Sequence, residues 1–175
     1  MTISVSPLTM PEEAAWLVAQ KKGGWIGRLI VRKAFSEMEL TYFPFYKVTL
    51  EIGLEARKFP FAPKTKFNSQ INVLVSGTTG QASIIDKFPR LEKINEENSP
   101  TVDPSIPEEK IVESATKCAN KFVVRRARAV PAIRGVQSEL VFRPYWVAFY
   151  GERVEGSKIH YLPIQADGFN VATAT

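Results

Sequence analysis

The same landmarks recur in the same order in the two halves of this 175-residue chain. An internal repeat constrains a fold more than any single motif, because both copies must build the same supersecondary unit. The first landmark is Thr9-Met10-Pro11-Glu12-Glu13, matched by Ser105-Ile106-Pro107-Glu108-Glu109. Each has the form of a capping box, a hydroxyl residue followed three positions on by Glu, with Pro where a helix start needs no N–H. The second is a cationic stretch entered through an aromatic, Trp25-Ile26-Gly27-Arg28 in one copy and Phe122-Val123-Val124-Arg125 in the other. The third, Glu39-Leu40-Thr41-Tyr42-Phe43-Pro44-Phe45-Tyr46, aligns without gaps on Glu139-Leu140-Val141-Phe142-Arg143-Pro144-Tyr145-Trp146. A weaker fourth sets Ile71 to Ala82 against Ile159 to Asn170, with Gly80 over Gly168. The expected organisation is a first helix-plus-strands copy over 1–88, a linker over 89–104 and a second copy over 105–175.

The apolar spacing assigns elements within each copy. Ile111, Ala115, Cys118 and Phe122 follow Pro107 at helical intervals, and the acids at the start and the bases that follow match the helix dipole. The first-copy helix has Ala14, Leu17 and Val18 as its inward residues. It meets Gly23-Gly24, where it stops, or kinks and resumes through Trp25 to Phe35. Pro131 ends the second helix or bends the chain beyond it. Past each helix the period becomes two: Leu40, Tyr42, Tyr46, Val48, Leu50 and Ile52 in one copy, Leu140, Phe142, Trp146, Ala148 and Tyr150 in the other. Pro44 and Pro144 within these runs point to a sheet edge or a bulge. Residues 53–68 read as a loop, and second hairpin strands follow at Ile71–Val75 and Gln81–Ile85, then Ile159–Gln165 and Phe169–Ala172. Asp167-Gly168 is a strong tight-turn signal. The fold class is α+β, an internal duplication in which each copy packs a helix on antiparallel strands.

Helix, strand, strand and then a Thr79-Gly80-Gln81 or Asp167-Gly168-Phe169 turn resembles the PepSY-type α-β-β unit, itself similar to cystatin-like folds. Thr79-Gly80-Gln81 keeps the last part of that family's D-x-x-T-G-x string, while Ser76 stands near the place of its Asp. The resemblance covers most of both copies in element order and implies a non-catalytic binding or inhibitory module. PepSY domains are usually secreted or membrane-tethered, whereas Met1 to Leu8 lacks the charged start and apolar stretch of a secretory signal. No run reaches the ~18 apolar residues of a membrane span. A cytoplasmic protein is expected, and its single cysteine, Cys118, excludes an internal disulfide and a cysteine metal cage.

The net charge of +5 is unevenly spread. Residues 21–33 hold Lys21, Lys22, Arg28, Arg32 and Lys33 with no acid, and residues 117–134 hold Lys117, Lys121, Arg125, Arg126, Arg128 and Arg134 with none. The remainder is therefore net acidic and the basic character is local. A solvated helix face is the simple reading of both stretches. The functional reading is an anion-binding surface for nucleic acid, an acidic lipid surface or an acidic protein, with Lys21, Lys22, Arg28, Arg32, Lys33, Arg125, Arg126 and Arg128 as its candidates.

Catalytic signals are sparse. His160, the only histidine, alternates with Ile159 and Tyr161 as a strand residue. Cys118 lies on an apolar helix stripe, where a thiol behaves as a small hydrophobe. Helix capping accounts for Glu12-Glu13 and Glu108-Glu109, and Gly77-Thr78-Thr79-Gly80 lacks both the P-loop lysine and dinucleotide-loop spacing. No catalytic residue, metal site or cofactor is assigned. Phe43, Phe45, Tyr145 and Phe149 form the opposite set on the aromatic–proline strands. They need a cover, for which a second sheet layer, a dimer partner or a peptide ligand would each serve, with self-association or intramolecular stacking the favoured reading. The expectation is a non-enzymatic binding or assembly protein acting through an exposed sheet face or edge. The alternative is a polyanion-binding protein using the two basic stretches.

Overall fold

The computed structural model describes residues 2–24, 35–56, 65–95, 100–128, 130–151 and 160–169. Its elements in chain order are β1 (Thr2–Val5), α1 (Glu12–Gly24), β2 (Phe35–Ala56), β3 (Thr65–Ser76), β4 (Ala82–Ile85), β5 (Glu92–Asn95), α2 (Glu108–Ala127), β6 (Ala132–Tyr150) and β7 (His160–Gln165). The class is α+β. The sheet runs β4-β3-β2-β6-β1-β5, with β7 paired to β6 off this path. The β1–β5, β2–β3, β3–β4 and β6–β7 pairs are antiparallel, and the β1–β6 bridge is parallel.

The chain packs as two compact units, Met1–Phe43 with Arg90–Val102 and Phe142–Phe169, and Pro44–Pro89 with Asp103–Val141 and Asn170–Thr175. Residues 1–88 and 105–175 each contribute to both units. Residues 89–104, read from sequence as a linker, hold β5, which pairs Ile94 with Ile3, and Thr101, which bridges Tyr42.

In the second unit α2 lies on β2, β3 and β4. Ile111, Ala115, Ala119 and Val123 pack on Val48, Leu50, Ile52, Ile71, Val73 and Val75, with Cys118 and Phe122 at the margin. The buried stripe therefore steps by four residues through Ala119, one position round from the expected Cys118 and Phe122. Two alanines bring the helix backbone close to β-branched strand residues. The expected capping box also fails at α2. Pro107 is the N-cap with no side-chain hydrogen bond, because the Ser105 hydroxyl donates to Thr78 O at 3.1 Å instead. The Ser105 and Ile106 N–H groups donate to Gly77 O, both at 3.0 Å, tying the helix start to the β3–β4 turn. Gly80 has φ of 71° there, a left-handed conformation that favours glycine.

In the first unit α1 lies on β6 and β7, with Ala15 and Ala19 against Trp146, Ala148, Ile164 and Ala166. Leu17, expected inward, is 59% exposed. With alanines as the contact residues the helix sits low on the strands, which turns Trp16 and Leu17 outward. Trp146 Nε1 donates to Met10 O at 2.9 Å and the Tyr150 hydroxyl to Ala19 O at 3.0 Å, fixing both ends of that contact. Thr9 and Met10 N–H donate to Ala166 O at 2.8 and 2.9 Å. α1 is described as far as Gly24, and the expected continuation through Trp25 lies outside the described residues.

Two further expectations are corrected. Gly53–Ala56 and Thr65–Asn68 are paired strand residues, so the loop expected over 53–68 is shorter. Pro44 and Pro144 lie within β2 and β6, each flanked by strands on both sides, and both are fully buried. The reason is a change of partner. Phe142 O takes the Ser6 N–H at 2.9 Å and Pro144 O takes the Ala166 N–H at 3.0 Å. The edge of β6 thus passes from one neighbour to the next at the proline, where a missing N–H interrupts neither ladder. Pro44 O likewise takes the Gly77 N–H at 2.8 Å.

Candidate functional site

Helix α2 presents its charge in order. Glu108 and Glu109 occupy the first turn, Arg125 and Arg126 the last, as the helix dipole favours. Lys117, Lys121, Arg125, Arg126 and Arg128 are all exposed. Lys117, Lys121 and Arg125 are four residues apart and share one face, spanning about 12 Å at the α-helical rise, and Arg128 follows at the C-cap. Lys117 pairs with Glu113 at 2.6 Å, and that hydrogen bond, then the lysine's charge, holds the Glu113 carboxyl below its usual range. The Arg126 guanidinium lies 4.7 Å from the Phe122 ring centroid, a cation–π contact that restrains it. Arg128 adopts φ 49° and ψ 32°, and its N–H closes the helix on Val124 O at 3.0 Å. This left-handed position usually belongs to glycine, so an arginine occupies it at a conformational cost.

Of the other sequence candidates, Lys21 is exposed on α1. The Lys22 side chain and residues Arg28, Arg32 and Lys33 lie outside the described residues. Phe43, Phe45, Tyr145 and Phe149 are all half-buried. Phe43 and Tyr145 meet edge to face at 5.1 Å between centroids. Phe149 lies 6.5 Å from Tyr161, which is 60% exposed. His160 opens β7 opposite Tyr150. Cys118 is half-buried with Sγ 3.6 Å from Ala82 O. Burial pushes its thiol up, away from the reactive thiolate. Among the described residues no three His, Cys, Asp or Glu side chains gather to hold a metal ion.

Sequence reasoning missed a buried ionic cluster. Arg143 donates from Nε to Asp167 Oδ2 at 2.7 Å and from Nη2 to Oδ1 at 2.9 Å, with side chains 3% and 0% exposed. The same carboxylate accepts from Ser6 Oγ at 3.0 Å, Gln165 Nε2 at 2.9 Å and Phe169 N at 3.1 Å. Burial by itself would raise the Asp167 pKa, but the hydrogen bond and charge of Arg143, with Gln165 and the Phe169 N–H, hold it below its usual value. Tyr145 and Phe169 flank the guanidinium at 5.9 and 5.5 Å. Five donors converge on two oxygens, so the carboxylate has no capacity left to take a substrate proton. The signal was an arginine inside an apolar, aromatic strand, which must find a counter-ion.

Glu51, Ile52, Asn68, Ser69, Gln70 and Arg134 line an open polar groove of about 470 Å³ in the second unit. Arg134 donates to Asn68 Oδ1 at 3.0 Å and lies against Gly53, where a Cβ would stand 2.6 Å from Nε. No helix among the described residues is long and apolar enough to cross a membrane. No protein-family model, curated protein or solved structure matches the chain.

Proposed function

We propose that the protein is a non-catalytic anion-binding protein, built as an internal duplication, whose contact surface is the outward face of α2. The observation that carries this reading is three exposed cations on one helical face, followed at the C-cap by an arginine in a backbone conformation that favours glycine. The saturated Arg143–Asp167 cluster supports a structural role for the buried charge. The PepSY-like element order points the same way, toward a binding module. A cytoplasmic location, which a single thiol suits, belongs to the same proposal.

Support for the duplication is contact by contact. Pro44 O takes the Gly77 N–H as Pro144 O takes that of Ala166. Gly77 O receives Ser105 and Ile106 as Ala166 O receives Thr9 and Met10. Val102 N–H donates to Tyr42 O as Ser6 N–H does to Phe142 O, each at 2.9 Å. Phe45–Ser76 and Tyr46–Val75 have the register of Tyr145–Gln165 and Trp146–Ile164. Aligning the strands this way sets Gly77 over Ala166, one residue from the pairing of Gly80 with Gly168, and a second turn one residue shorter reconciles the two. Each helix is exchanged: α1 packs on strands of the second copy and α2 on strands of the first.

A fluorescent heparin fragment, titrated at rising salt, tests the function. Wild-type protein binds at low salt and its affinity falls linearly on a log–log salt plot, with a slope of about −3 if three or four anionic groups are contacted. A variant carrying Lys121→Glu, Arg125→Glu and Arg128→Glu loses that binding while its circular dichroism is unchanged. No binding by the wild type at low salt ends the proposal. A second reading, assembly through the strand face of Phe43, Tyr145 and Phe149 in the first unit, draws on the exposed Tyr161 ring beside Phe149. Light scattering that finds dimers, lost on Tyr161→Ser, would favour it.

A further inference from the structure

Resting on the anion-binding reading, we infer that the anion is an acidic lipid surface, contacted by the C-terminal end of α2. The cations there are interleaved with exposed aliphatic side chains. Lys117, Lys121 and Val124 follow one another at four and three residues on a single stripe of the helix, Arg128 caps the helix four residues beyond Val124, and Val124 is 42% exposed. Val130, just past the helix end, is 80% exposed. A phosphate backbone pairs with the guanidinium and ammonium groups and gains nothing from two valines beside them. A bilayer interface uses both kinds of group. Lys and Arg stems extend along the headgroup layer with their charges on lipid phosphate and carboxylate. Valine methyl groups reach the acyl boundary, as in surface-lying amphipathic segments. Lys117 is partly neutralised by Glu113, which shifts the attraction toward Lys121 and Arg128. Arg128 itself lies between Val124 and Val130, held there by the left-handed turn.

The test is co-sedimentation of the full chain with vesicles of phosphatidylcholine, with and without phosphatidylserine, beside anisotropy on a short duplex oligonucleotide. Expected is binding to the phosphatidylserine vesicles alone, weakened about fivefold by Lys121→Gln and about fivefold by Arg128→Gln, the equivalent of about 1 kcal/mol per cation near such a surface. A variant carrying Val124→Ser and Val130→Ser, both exposed and therefore folded, binds these vesicles about tenfold less well while holding heparin as the wild type does. Valine substitutions that leave vesicle binding unchanged overturn the inference, as does tighter binding to the duplex than to vesicles. In either case heparin binding keeps the broader anion reading in place. Failure on heparin, duplex and vesicles alike removes both.

Discussion

Replacing Asp167 by Asn removes the carboxylate that pairs with the buried Arg143 guanidinium. The guanidinium is 3% exposed and the carboxylate 0%, so water does not reach in to compensate. Asn keeps one acceptor oxygen but turns an amide NH₂ toward donors on Arg143, Ser6, Gln165 or the Phe169 N–H. Breaking a buried pair by losing one partner costs about 3–5 kcal/mol, a large fraction of the ~5–15 kcal/mol that holds a domain folded. With a urea m-value of about 2 kcal/mol/M, the unfolding midpoint of Asp167→Asn drops by about 1.5–2.5 M without a change in slope. The double variant Arg143→Met with Asp167→Leu removes both charges and recovers most of the loss. The pH dependence has a definite sign. The folded-state carboxyl lies below its unfolded value of about 3.9, so the stabilisation is complete well above that value. It is lost as pH falls through the folded-state pKa. The gap between wild type and Asp167→Asn is therefore constant at neutral pH and narrows below about pH 4. A midpoint shift under about 0.5 M at neutral pH, or a gap that widens in acid, would refute the reasoning.

Arg128→Gly relieves the left-handed backbone at the end of α2 and raises stability by up to about 1 kcal/mol, or about 2–4 °C in melting temperature for a chain of this size. The same change weakens heparin binding; a thermal melt and a titration on one preparation read both. Ala19→Leu overfills the contact between α1 and the Trp146–Ala148 strand, where Ala19 is fully buried, and costs about 1–3 kcal/mol by urea unfolding. Cys118 reacts with an aromatic disulfide reagent at neutral pH far more slowly in the folded than in the urea-unfolded chain, because burial raises its pKa. Equal rates would contradict the assignment.

Much of the architecture was legible because paired strands and proline-marked helix starts leave period and punctuation in sequence. The Pro44 and Pro144 strings marked the two long strands, and Pro11 and Pro107 marked the two helices. What failed has physical causes. Alanine is apolar yet small, so pattern alone does not distinguish an Ala115–Ala119 stripe from one through Cys118 and Phe122, or show that Ala15 and Ala19 rather than Leu17 face inward. Strands of four residues such as β1 and β5 are too short to show a period. β2, at 22 residues, exceeds the usual length of about 3–10, so its far end read as loop. The prolines misled about edges because a change of strand partner leaves the same signature as an edge. The buried Arg143–Asp167 pair joins residues far apart in sequence, and only the closed hairpin brings them together. Of the α2 cations, sequence named Arg125, Arg126 and Arg128, while the left-handed setting of Arg128 needed coordinates.

The account stands on the interlocking of the two halves of the chain, which both contribute to each compact unit. A protease site inserted between Asn95 and Pro100 allows the folded protein to be cut there, and size-exclusion chromatography of the cut protein measures the claim. Exchanged helices predict that the two fragments co-elute at the mass of the intact chain and separate only in denaturant. Fragments that part under native conditions, each keeping its helical circular dichroism, would contradict it.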